Sequence, residues 1–267
     1  MNKSKKIIFT GGSGRFGKIF RSLKYKHKIY FPTKKQFNVL KISNMKKYLK
    51  NKKPKYLIHA AGLSRPMSIH NKNIIKSIDL NIIGTANVTK ICSENNIKLI
   101  YLSTAYVYPG TKGNYREISP LKPINNYAWS KLGGESAVQM YKNSLILRLS
   151  MTEKPFVHNQ AFVDFKTNFM FHIDFAKILL KLINQKGIIN VGGPSQTVYS
   201  FAKKLNSKVK KISIKTIFGK NKPINVSMNL ERIKKILSTH WTFWLLIIKI
   251  IIDKIVLLKI LTYIENY

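Results

Sequence analysis

Short apolar runs alternate along the chain with longer stretches in which apolar residues recur at helical spacing. The short runs predict buried strands, and the periodic stretches predict amphipathic helices. The predicted strands are Lys6–Phe9, Lys28–Phe31, Tyr56–Ala60, Leu99–Leu102, Leu145–Leu149 and Ile188–Val191. The predicted helices include Gly14–Leu23, Met45–Asn51, Asn73–Glu94, Asn126–Tyr141, Asp174–Asn184 and Thr197–Leu205. This alternation indicates βα units, and therefore an α/β fold with a doubly wound parallel sheet.

The regular pattern breaks down over Met151–Phe171 before helical periodicity resumes. A length of 267 residues leaves room for one α/β domain and a smaller lobe. We therefore expect a first domain over residues 1–150, a small C-terminal lobe over 151–240 and an apolar helix over 241–267.

The last of these segments, Trp241–Ile264, is nearly all apolar but contains four charged residues. A charged residue at the centre of a membrane helix costs about 2.5–3.5 kcal/mol of insertion free energy. Four such residues outweigh the favourable insertion free energy of the apolar residues around them. A span is thus the least favoured interpretation. A helix packed on the domain or on a partner subunit is preferred, and peripheral membrane contact stays open.

Charge is the most unusual feature of the composition, with 48 Lys+Arg against 10 Asp+Glu and a formal net charge of +38. Such an excess suits a polyanionic partner, either nucleic acid, an anionic membrane surface or a phosphorylated substrate. A general drift of the composition toward lysine is the simpler interpretation. Because no basic stripe is interleaved with aromatic residues, nucleic-acid binding is not predicted.

Cysteine and histidine usage limits the other classes of function. A single cysteine, Cys92, excludes a disulfide framework and fits a reducing compartment. The six histidines share no ligand spacing with cysteine or carboxylates, so we predict no metal site. The apolar run before the first glycines is too short for a signal peptide. We expect a cytoplasmic protein, with membrane association left open.

A glycine-rich loop follows the first predicted strand in the segment KIIFTGGSGRFG. Gly11, Gly14 and Gly17 allow a tight turn, and the following helix can bind a pyrophosphate at its N-terminus. We therefore predict that this loop, with Arg15 and Phe16 inside it, binds a dinucleotide.

Other residues near strand ends extend the predicted cofactor site. No acidic residue follows the second strand to bind a ribose 2′-hydroxyl, whereas Lys34 suits a 2′-phosphate, so NADP(H) is preferred over NAD(H). The small residues Ala60, Ala61 and Gly62 let the backbone approach the cofactor. Asn81, on the next helix, is a further candidate, although a buried polar asparagine is equally compatible with the sequence.

A Tyr-x-x-x-Lys pair, Tyr127 and Lys131, follows a strand that ends near the hydroxyl of Thr104. About two such spacings are expected by chance in a chain of this composition. Five occur, and Tyr127 alone has the strand, loop and helix context. Residues four apart share a helix face, so we expect the Lys131 ammonium to lower the pKa of the phenol for proton transfer.

These motifs resemble the extended short-chain dehydrogenase/reductases, most closely those of the dTDP-4-dehydrorhamnose reductase type. The likeness covers residues 5–237 and includes TGGSGRFG and YLSTAYVYPGTKGNYREISPLKPINNYAWSKLGGE. It implies a Rossmann-like NAD(P)-binding domain over 1–150, a substrate-binding lobe over 151–240 and a possible homodimer through Asn73–Glu94 and Asn126–Tyr141. One departure is Ala105, where such reductases carry aspartate.

The resemblance also implies roles for single residues. Thr104 matches the catalytic hydroxyl, Tyr127 the acid/base and Lys131 the lysine that holds the nicotinamide ribose. Thr104, Tyr127 and Arg148 are expected to contact substrate. The aromatic residue that such reductases carry shortly after Arg148 is replaced here by Met151 or Thr152.

We therefore expect NADP(H)-dependent reduction of a keto-sugar nucleotide, of the 4-keto-6-deoxy kind, for surface polysaccharide precursors. Two alternatives stay open. One is a nucleotide-sugar epimerase that retains its nicotinamide. The other is a non-catalytic dinucleotide-binding subunit docked at a membrane.

Overall fold

The computed structural model describes residues 4–156, 158–219 and 224–238. The described residues fall into two units, divided after Leu230. The described part of the second unit, residues 231–238, is helical. The apolar segment Trp241–Ile264 lies outside the described residues. No helix in the described ranges is long and apolar enough to cross a membrane.

The first unit is built on a parallel six-stranded sheet, and its strand order is β10-β5-β4-β3-β1-β2. All six predicted strands are confirmed. They are β1 Lys6–Thr10, β2 Lys28–Tyr30, β3 Tyr56–His59, β4 Lys98–Thr104, β5 Ser144–Leu149 and β10 Gly187–Val191. β4 and β5 are buried along their whole length, as expected of parallel strands covered on both faces. The Rossmann-like, doubly wound α/β fold is therefore confirmed.

The helices agree with the predicted set to within a few residues, except over Asn73–Glu94. They are α1 Arg15–Ser22, α2 Ile42–Lys52, α3 Ile69–Lys72, α4 Ile74–Ser77, α5 Gly84–Glu94, α6 Asn126–Gln139, α7 His172–Leu182, α8 Val198–Lys203 and α9 Ile214–Phe218. The short helices α3 and α9 were not predicted, because one turn carries no periodic signal.

The predicted continuous helix Asn73–Glu94 is divided. α4 is followed by a π-helical segment, Ile78–Ile83, which leads into α5. π-helical turns widen a helix locally and are frequent at functional sites. This one contains Asn81, whose side chain is buried and points toward the loop after β3.

A small lobe follows β5. Its described strands pair two by two, β6 with β9, β7 with β12 and β8 with β11. These strands are β6 Met151–Thr152, β7 Gln160–Phe162, β8 Lys166–Thr167, β9 Met170–Phe171, β11 Gln196–Thr197 and β12 Lys210–Ile212. The lobe has its own apolar cluster around Phe165, Val198 and Val226. The predicted C-terminal lobe over 151–240 and the boundary near Ser150 both stay predictions.

Candidate active site

The glycine loop joins β1 to α1 at the carboxyl edge of the sheet. Gly11 has φ +77°, a conformation that favours glycine, and a Cβ there would lie 2.7 Å from Ala60 O. A Cβ on Gly17 would collide with Gly11 O. Gly14 donates its N–H to Gly11 O at 3.0 Å. No side chain caps α1 and its first turn has no acidic residue, so its amides suit a phosphate group.

The two other predicted residues of this loop, Phe16 and Arg15, lie in different surroundings. The Phe16 ring packs between Phe9 and Phe175 in the core, so only its backbone can contact a dinucleotide. The Arg15 guanidinium forms an ion pair with Glu153, with Nε 3.0 Å from Oε1. Arg15 therefore lies at the mouth of the candidate site, where an anionic group can compete for it.

Asn81 fixes the loop that follows β3. Its side-chain oxygen accepts the Leu63 N–H at 2.7 Å, and its amide donates to Leu63 O at 2.9 Å and to the Ser130 hydroxyl at 2.8 Å. The Ser130 hydroxyl in turn donates to Tyr127 O at 2.8 Å. A Cβ on Gly62 would lie 2.8 Å from the Asn81 oxygen. Asn81 thus connects the predicted cofactor loop to the helix of Tyr127.

Ala60 and Ala61 lie against the glycine loop, and the strand-end histidine before them is packed. Both ring nitrogens of His59 lie within hydrogen-bonding distance of a threonine hydroxyl, Thr10 at 2.9 Å and Thr85 at 3.2 Å. Burial, and secondarily Lys131, lowers the pKa of His59 to about 3. His59 is therefore a packed, hydrogen-bonded residue of the strand end.

Thr104 and Tyr127 come together from different elements. Thr104 ends β4, and Tyr127 lies in the first turn of α6, which begins there because Asn125 accepts the Ala128 N–H at 2.9 Å. Both side chains line one cavity, and the Thr104 hydroxyl acts to lower the pKa of the Tyr127 phenol. The sheet and the helix cap therefore hold two hydroxyl groups at one point.

The electrostatics of Tyr127 differ from the predicted pattern. Burial, and then Tyr106, raises the pKa of Tyr127 to about 12, and the opposing influences are Thr104, Arg65 and Arg15. Lys131 is not among the groups that lower this pKa, contrary to the expectation. Its phenol is a protonated group at neutral pH.

The Lys131 side chain explains this difference. Its ammonium lies 4.1 Å from the centroid of the Tyr101 ring, and the residue is buried. Burial lowers the pKa of Lys131 to about 7, against the influence of Glu135. Helical spacing brings Lys131 and Tyr127 to one face of α6, but packing desolvates the ammonium and weakens its charge.

A cavity of about 160 Å³ opens beside these hydroxyl groups. Its lining combines the glycine loop, the loop after β3, the ends of β4 and β5 and the start of α7: Arg15, Ser64, Arg65, Met67, Ser103, Thr104, Tyr106, Tyr127, Leu149, Ser150, Met151, Glu153, Phe169 and His172. A groove of about 1630 Å³ shares Arg65 and Tyr127 with it and extends over the aromatic residues of the lobe. The phenol thus lies where a small cavity meets a large groove.

Three residues of this cavity were missed by sequence reasoning. Arg65 lies 3.6 Å from the second carboxylate oxygen of Glu153, so one carboxylate holds both Arg15 and Arg65. His172 is buried with no hydrogen-bond partner for Nδ1, and burial lowers its pKa to about 4. Arg65 and Glu153 lie in loops and His172 begins α7, and no local pattern marks these three residues as part of a site.

Arg148, predicted to contact substrate, is placed in the core. It is 1% exposed and paired with Glu135, which is fully buried. Its Nη1 donates to the Tyr108 hydroxyl and to Glu117 O, both at 2.9 Å. The Ser103 hydroxyl donates to Glu135 at 2.7 Å. Arg148 is absent from the residues that line the cavity and the groove, and its described contacts are structural.

Two cations stand near the end of β2. Lys34 is exposed in the turn after this strand. Arg21, which sequence reasoning missed, donates to Phe31 O at 3.3 Å, and its guanidinium lies 4.8 Å from the Phe31 ring centroid. A Cβ on Gly12 would lie 3.0 Å from Arg21, so this cation adjoins the glycine loop. Across the described ranges, no group of three His, Cys, Asp or Glu could hold a metal ion.

A protein-family model described as "RmlD substrate binding domain" matches residues 5–169. Methionine adenosyltransferase 2 subunit beta of Xenopus laevis is 31% identical over 156 residues, 55% of this chain and 46% of that protein. GDP-L-colitose synthase of Yersinia pseudotuberculosis is 33% identical over 107 residues, 39% of this chain and 35% of that protein. The chain therefore spans less than half the length of these curated relatives.

Solved structures share the fold over nearly the whole chain. The dTDP-4-dehydrorhamnose reductase from Bacillus anthracis in complex with NADP has a TM-score of 0.78 at 24% identity, covering 87% of this chain and 92% of that one. The enzyme WbmG of Bordetella bronchiseptica in complex with NAD and UDP has a TM-score of 0.67 at 18% identity, covering 88% and 87%. These similarities show the architecture.

Proposed function

Since the chain belongs to the RmlD substrate-binding-domain family, we propose that it is an NAD(P)-dependent oxidoreductase that reduces a keto-sugar nucleotide. The observation that carries the proposal is the meeting of Thr104 and Tyr127 at a cavity between the glycine loop and the groove of the lobe. A dinucleotide fits the glycine loop, where Gly11 and Gly17 have no room for a side chain.

A bound nicotinamide dinucleotide would supply hydride to the carbonyl carbon of the sugar. Tyr127 then transfers its phenolic proton to the carbonyl oxygen as that oxygen becomes a hydroxyl, and solvent returns a proton to the phenol. A pKa of about 12 keeps the phenol protonated at neutral pH, as a proton donor requires. The Thr104 hydroxyl orients the same oxygen. Arg65 and Arg15 stabilise the phenolate that forms after transfer.

The test is NADPH oxidation by the full chain with a panel of 4-keto-6-deoxy nucleotide sugars. Tyr127→Phe should lower kcat by a factor of about 10²–10⁴ while NADPH binding persists. The matched control is Tyr199→Phe, because Tyr199 and Lys203 have the same spacing on α8, away from the site. Equal losses in the two variants, or full turnover in Tyr127→Phe, would refute the assignment.

We propose NADPH as the preferred cofactor because Arg21 and Lys34 stand where a 2′-phosphate would lie. Arg21→Gln should raise the KM for NADPH tenfold or more and leave the KM for NADH nearly unchanged. Lys28→Gln, an exposed lysine at the opposite end of β2, is the control. An equal change in both KM values would refute this role for Arg21.

We propose that the product is a deoxysugar nucleotide, which is made in the cytoplasm and used as a precursor of surface polysaccharide. Nucleotide-sugar epimerisation uses the same residues but returns the hydride to the sugar. Release of NADP⁺ at one equivalent per turnover supports the reductase. Tight retention of the cofactor through many turnovers supports the epimerase instead.

A non-catalytic dinucleotide-binding subunit is the second candidate. It is favoured by a relative named as a subunit of methionine adenosyltransferase and by the weakened charge of Lys131. NADPH binding without turnover of any keto sugar, combined with no effect of Tyr127→Phe on that binding, would support this candidate against the reductase.

A homodimer through α4, α5 and α6 is proposed as well. On these elements Ile75 is 74% exposed and Trp129 is 55% exposed. Large apolar side chains that are exposed together commonly mark a protein–protein interface. Light scattering of Ile75→Asp, beside the exposed apolar control Ile118→Asp in the loop before α6, measures the contribution of this face. A monomeric wild-type chain would refute the proposal.

A further inference from the structure

Lysines stand at the amino-terminal ends of four neighbouring strands. Lys6 opens β1 and is the register partner of Lys28, which opens β2. Lys55, just before β3, donates its N–H to Lys6 O at 3.0 Å, and Lys98, which opens β4, donates to Lys55 O at 3.0 Å. Lys98 is buried, and its ammonium donates to Ser144 O at 3.4 Å. We name the other three residues, Lys6, Lys28 and Lys55, the lysine row. Since the strands are parallel, the row lies at the edge of the sheet opposite Thr104.

The row is a concentration of unneutralised charge. All three members of the row are exposed. Adjacent strands lie about 4.8 Å apart, well inside the Debye length of about 8 Å, so their potentials add. In the described part of the chain, no ion pair joins the row to a carboxylate. Glu94, the carboxylate of the neighbouring groove, is paired with Lys46 at 3.2 Å.

Ammonium groups also lie over the aromatic rings of β2 and β3. Lys52 and Lys28 lie 5.1 and 5.8 Å from the centroid of the Tyr30 ring. Lys5 lies 4.8 Å from the centroid of the Tyr56 ring. Rings that are capped by cations cannot stack with the bases of a nucleic acid, which is how single strands are commonly bound.

We propose that the lysine row docks the protein on an anionic lipid surface. Like charges side by side on neighbouring strands destabilise a sheet, and a flat array of anionic headgroups relieves that repulsion along the whole row. Lysine supplies compact charges suited to headgroups, whereas base recognition favours arginine, which is absent from the row. Docked in this way, the cavity at Tyr127 faces away from the membrane. The inference is independent of the proposed reaction.

The experiment is co-sedimentation of the full chain with phosphatidylserine-rich vesicles and with phosphatidylcholine vesicles. The test variant carries Lys6→Gln, Lys28→Gln and Lys55→Gln together. The matched control neutralises three exposed lysines elsewhere, namely Lys90, Lys122 and Lys177. Both variants lose three positive charges, so they differ only in the positions of the replaced lysines. Circular dichroism and NADPH binding check that each variant is folded.

Wild type should bind the phosphatidylserine vesicles, and strong salt should release it. The row variant should bind about a hundredfold more weakly, at roughly fivefold per lysine, and the control variant should stay within a few fold of wild type. If the row variant and the control variant lose the same amount of vesicle binding, the net charge of the protein determines binding and the position of the row does not. Unchanged binding of the row variant, or a loss confined to binding of duplex DNA, would also overturn the proposal.

Discussion

Replacing Arg148 by methionine distinguishes a structural role from contact with substrate. Methionine fills much of the same volume but removes the guanidinium. The Glu135 carboxylate then stays fully buried with only the Ser103 hydroxyl as a described donor, and Tyr108 and Glu117 O lose a hydrogen bond each. The effect should therefore appear in the free energy of unfolding.

Removing one partner of a buried ion pair typically costs about 3–5 kcal/mol, because the other charge is left uncompensated. Both partners here are at most 1% exposed, so solvent screens neither. Domains have a total stability of about 5–15 kcal/mol, so we expect Arg148→Met to lose a fifth or more of it. Replacing Glu135 by leucine as well removes the unpaired charge and should restore most of the loss.

The assay is urea unfolding at neutral pH, followed by circular dichroism, for wild type, both single variants and the double variant. Glu94→Gln is the control, because it breaks the exposed pair with Lys46 and should cost less than about 0.5 kcal/mol.

Two results would contradict the reasoning. One is a loss below about 1 kcal/mol for Arg148→Met, since that is ordinary for an exposed side chain. The other is a double variant whose loss equals the sum of the single losses, which would mean that the two residues do not interact. A raised KM for sugar with unchanged stability would restore the predicted contact with substrate.

Three further predictions concern the glycine loop, the Asn81 contacts and Lys131. Gly17→Ala should abolish NADPH binding or folding. Its control, Gly219→Ala, meets nothing within 4 Å and should cost about 1 kcal/mol of stability because of its positive φ. Dye-monitored melting compares the stability of the two variants, and fluorescence titration compares their NADPH binding. Asn81→Leu leaves the N–H and C=O of Leu63 without their described partner and should lower the melting temperature by several degrees and raise the KM for NADPH. Burial lowers the pKa of Lys131 from 10.5 to about 7. Between these two pH values the unfolded chain binds more protons at this residue than the folded chain does. The contribution of Lys131 to the free energy of unfolding therefore rises with pH across this window. Lys131→Met should flatten this rise in urea midpoints, and an unchanged slope would contradict it.

The alternation of strands and helices, the glycine loop and the pairing of Thr104 with Tyr127 were all predictable from the sequence. Each depends on local information. The spacing of apolar residues sets which face of an element is buried, and glycine spacing sets where a tight turn can form. Parallel strands then bring all carboxyl ends to one edge, so residues at strand ends meet without any knowledge of side-chain packing.

Only the tertiary structure decided how the charged residues behave. Lys131 and Arg148 are cations in the sequence, but packing desolvates the first above Tyr101 and buries the second against Glu135. The energy of a charge depends on its distance from water and from partners far away in the chain, and sequence spacing contains neither quantity.

The same limit applies to Glu153 and to the lysine row. Glu153 meets Arg15 and Arg65 because the lobe folds back on the sheet, and Lys6 meets Lys28 because β1 and β2 pair in one particular register. A shift of one residue in that register would place these lysines on opposite faces. Local patterns thus determined the elements and their ends, whereas the packing of those elements determined which charges are neighbours.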